Sequence, residues 1–406
     1  MRAMAAVISS TQCNLLPPNR QTVTLQTLAK QYPESYVIHD GDDHDLPDHI
    51  GKIDFNELTA SLSTGPRYST DSPLIEDNQL AAISFTSGST GQSKPNRKSW
   101  KMLRVGIDIN VENMLMQTPA GLNMLATVPP QHMYGFELSV LIPMAADVCS
   151  YTGQPLFPVD VQQALARMPA PRCLVSTPQH LKALIRSKLD FPVVERVFSA
   201  TSPLHTELAS QIEQCFGASV IEIYGCSEVG SIARRYPARE DNWTPFSAMS
   251  VETAEKRSIV HAPHLDAEYE LQDCIEIQSD GTFSLQGRLA DMINIAGKRG
   301  SLSQINQHLL AIPEVEDGII FDPGNSAGTQ EVIRLAGIVA GKNIDKNGVL
   351  AALRDNLDPV FLPRPILFTE SLPRAETGKL QRQIVLDLFN KLREQQRSDR
   401  QNTTER

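Results

Sequence analysis

Residues 80–100 read LAAISFTSGSTGQSKPNRKSW, a short apolar run followed by a stretch of bare backbone and hydroxyls. LAAISF has the length and composition of a buried strand, and the residues after it are too rich in Gly, Ser and Thr to continue one. Gly88 and Gly91 carry no Cβ to hold an anion away from the backbone N–H groups. Ser87, Ser89 and Thr90 add hydroxyl donors, and Lys94 adds a point charge for phosphoryl oxygens. The spacing differs from the G-x-x-x-x-G-K-[ST] loop of kinases and GTPases, because Gly91 leads into Gln-Ser-Lys and no Ser or Thr follows the lysine. Two readings stand at this point: a flexible surface loop, and a phosphate cradle at the end of a strand.

Outward from this stretch the chain alternates short apolar runs with helical patterns. AAISFT, NMLATVP, RCLVST, RVFSA and SVIEIYG read as buried strands. KMLRVGIDINVENMLM, VDVQQALARM, PQHLKALIRSKL and LHTELASQIEQCF read as the helices between them. Such alternation predicts a layered α/β domain, whose ligands bind where strands end. Before residue 80, VTLQTLAKQY suggests a helix and ESYVIHD a short strand. From about residue 290 a smaller α+β unit follows, with SQINQHLLAI and NGVLAALRDNL as helices and VEDGIIFD and EVIRLAGIVAG as strands. The expected division is an α/β domain over 1–289, an α+β domain over 290–393 and a disordered polar tail over 394–406.

The bulk numbers narrow the function. A chain of 406 residues that is 41% hydrophobic can bury two sizeable cores. A net charge of −10 argues against nucleic acid or an anionic membrane as the main partner. Six cysteines without C-x-x-C pairing read as reduced thiols of a cytoplasmic protein. No run has the length of a membrane span or of a signal-peptide core. The cluster HDGDDHDLPDH, residues 39–49, holds histidines and aspartates but fits no metal-ligand spacing, and reads as a solvated acidic loop.

Three further stretches carry candidate chemistry. In IEIYGCSEVGSIARR, residues 221–235, a strand ends at Tyr224-Gly225 and leaves Ser227 and Glu228 in the connection. Either a helix starts there with Ser227 as its cap, or a tyrosine face and an acidic metal ligand are presented beside a phosphate. In LQDCIEIQSDGTFSLQGR, residues 271–288, Asp280-Gly281 reads as a two-residue hairpin turn pairing 279 with 282. That register places Asp273 opposite Arg288. The pair is either a surface ion pair or a carboxylate and guanidinium set to hold a diol such as ribose. In LPRAETGKLQR, residues 372–382, a Thr377-Gly378 turn projects Lys379 just before a helix.

Taken together, residues 80–390 resemble the AMP-binding, adenylate-forming enzymes. Thr86–Lys94 is similar to the family's T-S-G-S-T-G-x-P-K loop, with Ser93 in place of proline, and Tyr224–Glu228 to Y-G-x-T-E, with Ser227 for threonine. Asp273 and Gly287-Arg288 match T-G-D and G-R at the family spacing, and Lys379 matches P-x-x-x-x-G-K. Pro129–Gly135 matches P-x-x-H-x-x-G in part, and Ser199–Leu204 loosely matches S-G-G-A-P-L.

The resemblance implies a large layered α/β domain with a reduced N-terminal subdomain, and a small mobile α+β C-terminal lid domain carrying Lys379. It implies that Thr86, Ser87, Gly88, Ser89, Thr90, Gly91 and Lys94 hold the phosphates of ATP. Tyr224-Gly225 and Thr201, Ser202 and Pro203 would flank the adenine, with Ser227 beside them. Glu228 would hold Mg²⁺, and Asp273 and Arg288 the ribose. His132 would line the acyl site, Lys379 would bridge carboxylate and α-phosphate, and Gly297 would leave room for pantetheine. Departures are Ala290, Asn294 and Gly300, where the family has an acidic or lysine hinge, a lysine and an isoleucine. The short form resembles the ligases of aryl-polyene pigment pathways. The expected activity is ATP-dependent activation of a carboxylic acid, then transfer to a phosphopantetheine thiol of an acyl carrier protein. The alternatives are an acyl- or aryl-CoA ligase, and a nucleotide-binding regulator that does not turn over. Lys379, Glu228 and the hydroxyl loop together argue against the regulator.

Overall fold

Four runs of the sequence are apolar along most of their length rather than at alternate residues, the pattern of parallel strands covered on both faces. In the computed structural model they form the middle of a seven-stranded sheet. The structure describes all residues except 42–45, 48, 63–72, 88–92, 255–256, 289–290, 296–297, 325–333, 342–343, 375–379 and 405–406. The chain divides into two compact units. One comprises Met1–Glu240, Pro245–Met249 and Ala262–Ala267; the other comprises Asp241–Thr244, Ser250–His261 and Glu268–Arg406.

Six strands of the sheet lie wholly in the first unit. Their order is Gly230–Arg235, Ser219–Cys226, Arg196–Ser199, Arg172–Ser176, Leu122–Ala126 and Val148–Ser150. All neighbours are parallel except Gly230–Arg235, which folds back antiparallel on Ser219–Cys226. Ala126 lies opposite Val175, Ser176 opposite Ser199 and Ser199 opposite Glu222. Leu122–Ala126, Arg172–Ser176 and Arg196–Ser199 therefore end within one residue of each other along one edge, and Ser219–Cys226 runs four residues further; this carboxyl edge is where open α/β sheets hold ligands.

Helices Pro158–Arg167, Pro178–Arg186 and Thr206–Phe216 supply Leu165, Leu181, Leu184, Ile212 and Phe216 to a fully buried core with Leu174, Val197 and Val220. Their starts follow from local chemistry. Pro178 occupies the first turn of its helix, and the Thr177 hydroxyl caps it by accepting from the His180 N–H. A second core joins helix Arg2–Ser9 and helix Trp100–Met114 to the strand Leu80–Ser87 through Ile8, Ala81, Leu103 and Ile107.

The opening stretch is a hairpin. Leu80–Ser87 pairs antiparallel with Ser93–Ser99, and Thr86 lies opposite Lys94. The second strand was not legible as one, because Pro95 and its charges read as loop. It is an edge strand, where proline is tolerated. Residues 88–92 at its tip, which include Gly88, Ser89, Thr90 and Gly91, lie outside the described residues.

In the second unit, Asp317–Phe321, Ala336–Ala340 and Ile366–Thr369 form a three-stranded sheet. Leu309 of helix Leu302–Leu310 and Leu353 of helix Lys346–Asn356 share one core with Val339. The tail expected to be disordered from 394 is instead helical: one helix runs from Arg382 to Thr404. Its later turns are polar yet rich in Arg, Gln and Glu and free of Gly and Pro, so extending a helix already nucleated at Arg382 costs little.

The hairpin over Asp273–Arg288 corrects the expected turn while keeping the expected pair. Asp273 does lie opposite Arg288. Near the turn, however, Ile275 pairs with Leu285 and Ile277 with Phe283, one residue off the two-residue register. The loop is Ser279-Asp280-Gly281, closed by Gln278 and Thr282, with Gly281 at φ +83°. This register sets apolar residues opposite apolar ones, where the two-residue turn would set Ile275 against Gln286 and Ile277 against Ser284. A bulge at Gln286-Gly287 then restores the pairing at Cys274–Gly287 and Asp273–Arg288. Gly287 has φ +116°, and a Cβ there would fall 2.1 Å from the Ser301 hydroxyl.

Gly287→Ala should therefore cost more than about 2 kcal/mol in urea unfolding, since it meets both a left-handed backbone and a clash. Gly281→Ala, with open space around its Cβ position, should cost only about 1 kcal/mol. Equal costs would mean that Ser301 moves aside freely and the bulge is not pinned.

Candidate active site

The carboxyl edge gathers three of the sequence-predicted elements in the first unit. Beyond Leu122–Ala126 the chain reaches His132, which is half-buried and is the N-cap residue of the helix Met133–Phe136. Beyond Arg196–Ser199 lie Thr201, Ser202 and Pro203, all exposed. At the end of Ser219–Cys226 lie Tyr224, buried to 8%, exposed Gly225, and the half-buried Ser227 and Glu228. The helix-start reading of Ser227 does not hold: residues 227–229 form a tight turn between antiparallel strands. Lys94 is exposed on the hairpin opposite Thr86.

Thr201 adopts φ +81°. A β-branched residue is uncommon in that region and stays there only when its surroundings hold it. Three residues further on, the chain is gripped by Glu222, on the strand that leads to Tyr224. One carboxylate oxygen of Glu222 accepts the Leu204 N–H at 2.8 Å, and the other accepts Arg235 Nε at 2.7 Å. Arg235 also reaches the Leu204 carbonyl at 3.4 Å. Burial pushes the Glu222 carboxyl up, and the Arg235 charge and hydrogen bonds draw it back. The loop Thr201–Pro203 and the strand of Tyr224 are thus locked together by one buried ion pair.

The Ser227–Glu228 turn is held from beneath. Lys98 is 1% exposed. Its ammonium donates to the carbonyls of Ser227 at 2.5 Å and of Glu228 at 2.7 Å. Burial lowers its pKa to about 8, while the charges of Glu137 and Glu228 oppose the fall. Glu137 is buried to 6% and begins a π-helical turn, Glu137–Leu141. It accepts both the N–H of Ser231, at 3.1 Å, and its hydroxyl, at 2.6 Å. Burial raises the Glu137 carboxyl, and these bonds and Lys98 oppose the rise. His264, 3% exposed, donates its ring N–H to the Val229 carbonyl at 2.9 Å. Lys98, Asn110, Glu137, Ser231 and His264 line a cavity of about 10 Å³, room for one water. Burial drives the Cys226 thiol up to about 12, so it stays protonated and is no nucleophile at neutral pH.

The remaining predicted residues do not belong to the described part of the first unit. Asp273 and Arg288 belong to the second unit, paired as described. Gly297 and Lys379 lie outside the described residues, as does Ala290. No group of three potential metal-binding side chains exists among the described residues. Glu228 stands as one carboxylate on an accessible turn, which fits Mg²⁺ held mainly by phosphate oxygens and water rather than a protein cage.

Sequence reasoning missed Lys98, Glu137, Glu222 and Arg235. Lys98 gave no signal, because a lysine in SKPNRKS reads as surface. Glu137 in MYGFELSVLIPM and Glu222 in SVIEIYG did: a lone carboxylate inside an apolar run must find a buried partner.

Arg235→Leu should destabilise the chain by about 3–5 kcal/mol in urea unfolding, because Glu222 is left buried without its partner. Adding Glu222→Gln should recover most of that loss. No recovery would mean that Arg235 acts through packing rather than charge.

The comparisons with known proteins agree with this geometry. The 4-coumarate–CoA ligase of Halorhodospira halophila is 26% identical over 325 residues, covering 76% of this chain and 78% of that protein. The 3,4-dihydroxybenzoate–[aryl-carrier protein] ligase of Bacillus anthracis is 21% identical over 322 residues, covering 77% and 74%. A shorter match to a probable CoA ligase of Humulus lupulus, 22% identical, covers 49% of this chain and 44% of that protein. O-succinylbenzoate coenzyme A synthetase from Bacillus subtilis, solved with AMP, shares the fold with a TM-score of 0.74 at 13% identity, covering 94% of this chain and 91% of that one. The family model described as AMP-binding enzyme matches residues 2–264, well over half the length and the whole of the carboxyl edge, and the chain belongs to that family.

Proposed function

We propose that this chain activates a carboxylic acid with ATP and passes the acyl group to a phosphopantetheine thiol. A carboxylate oxygen attacks the α-phosphorus, the bond to pyrophosphate breaks, and an acyl-adenylate forms. The thiolate sulfur then attacks the acyl carbon, and AMP leaves. One observation supports this reading above the others: the hydroxyl-rich hairpin and the acidic turn at Glu228 are tied together by Lys98, at the edge where Thr201–Pro203 and Tyr224 also lie. A phosphate loop and a metal-binding carboxylate fixed to each other suit MgATP.

In this reading the hairpin residues Thr86–Gly91 and Lys94 hold phosphates, and Thr201–Pro203 and Tyr224 flank the adenine. His132 lines the acyl site. Asp273 and Arg288 hold the ribose, and Gly297 leaves space along the pantetheine path. Glu228 would hold Mg²⁺, which neutralises phosphoryl charge when bound. Lys379, on the segment 290–393, supplies the cation between two mutually repelling anions, the carboxylate and the triphosphate. An aryl acid is the favoured substrate, in keeping with relatives named for 4-coumarate and 3,4-dihydroxybenzoate. A carrier protein is the favoured acceptor on the likeness to the aryl-polyene ligases and to a relative named for an aryl-carrier protein, and the sequence offers no basic cluster for the 3′-phosphate of coenzyme A. Coenzyme A is the second reading, favoured by the relatives named CoA ligases.

Pyrophosphate release should depend on an added acid when benzoic, cinnamic and fatty acids are screened with ATP. Release with none of them would sink the ligase reading. Faster transfer to free coenzyme A than to a pantetheinylated carrier would reverse the choice of acceptor.

Lys379→Ala should slow adenylate formation by about 10²–10³-fold, the effect of losing one preorganised charge partner. Thioester formation from supplied acyl-adenylate should stay near normal. Equal damage to both half-reactions would remove Lys379 from the adenylation step.

A further inference from the structure

A buried ammonium persists where fixed acceptors replace its water. For Lys98 the acceptors are the carbonyls of Ser227 and Glu228. These two carbonyls belong to the peptide units on either side of the Glu228 Cα. One ammonium therefore holds both planes that meet at Glu228, and with them the direction of its Cα–Cβ bond. The next carbonyl, of Val229, is held by His264. Glu137 stands behind the lysine and is itself anchored on Ser231, just past the turn. Gly230 allows this close approach: a Cβ there would fall 2.4 Å from a Glu137 oxygen. Lys98 also projects from the strand Ser93–Ser99, which follows directly on the phosphate loop.

We infer that Lys98 is a positioning residue for the metal–nucleotide site, aiming the Glu228 carboxylate and fixing it relative to the phosphate hairpin. The inference rests on the reading of Glu228 as the residue that faces Mg²⁺. Lys98 is enclosed and its ammonium is on two backbone carbonyls, so its action runs through the backbone of the turn. A residue that only stabilised the fold would affect ATP binding equally with and without the metal. A residue that aims the metal-facing carboxylate affects chiefly the part of binding that Mg²⁺ adds.

The test is calorimetric titration of the full chain with ATP, once with Mg²⁺ and once with EDTA, alongside thermal unfolding. Lys98→Met removes the donor. Lys98→Met with Glu137→Gln removes both buried charges while keeping an acceptor for Ser231, so its melting temperature should return toward that of the wild type. In both variants ATP affinity with Mg²⁺ should fall about 10–100-fold, the usual effect of losing an outer-shell partner, and affinity in EDTA should change far less. Should Lys98→Met not fold, Lys98→Gln, which keeps an N–H donor, should show the same split at smaller size. A wild-type Mg²⁺ enhancement in the double variant, or equal losses in Mg²⁺ and EDTA, would overturn the inference. A wild-type chain that binds MgATP yet releases no pyrophosphate with any acid would sink the ligase reading alone, because the binding measurements decide the role of Lys98 by themselves.

Discussion

A single ammonium group organises the region that the rest of the first unit supports. Lys98 gives up water for two backbone carbonyls and the field of Glu137, and burial brings its pKa down to about 8. Surface lysines form ion pairs that come and go. This one cannot leave, because its stem and head are enclosed, and so the turn it holds has one conformation instead of several. The lysine joins the hairpin of the opening stretch to the turn before the antiparallel return Gly230–Arg235 by two directed hydrogen bonds.

A second buried charge repeats the arrangement on the next strand connection. Glu222 fixes Leu204 and Arg235, and so grips the chain three residues beyond the strained Thr201 backbone. Loops that carry function are better placed when a rigid scaffold grips them at defined atoms. Both grips use a charge on one segment and backbone groups on another. The parallel sheet provides the rigid part: its strands are largely apolar and buried, and they are covered by helices whose inner faces are fully buried.

Much of this was legible in the sequence, and the boundary of legibility has a physical cause. Strands such as RCLVS and helices such as PQHLKALIR announce themselves by period and by caps, which are local properties. The motifs at Tyr224–Glu228 and Asp273–Arg288 were legible because glycines, turns and charged residues recur at fixed short spacing. What holds them was not. Lys98 meets its partners 129 and 130 positions along the chain, and no periodicity links residues so far apart. The carboxylates Glu137 and Glu222 betrayed that something polar lay inside, but not where its partner was. The tip of the hairpin and Lys379, plain in sequence, lie beyond the described residues, so the motif there outruns the geometry.

The hairpin that brings Asp273 and Arg288 together has a consequence for how this segment can change length. It carries one residue more than a minimal turn at Ser279–Gly281, and one residue more than a regular ladder at Gln286-Gly287. Each excess is local: a two-residue turn could close on the same Gln278 and Thr282, and a ladder without the bulge would still set Cys274 against Gly287 and Asp273 against Arg288. Either place can lose its extra residue and keep the pair opposed, whereas a residue lost from a paired stretch between them would slide one strand and turn the side chains beyond it to the opposite face. Length in this hairpin is therefore free to vary at two points and fixed everywhere between them.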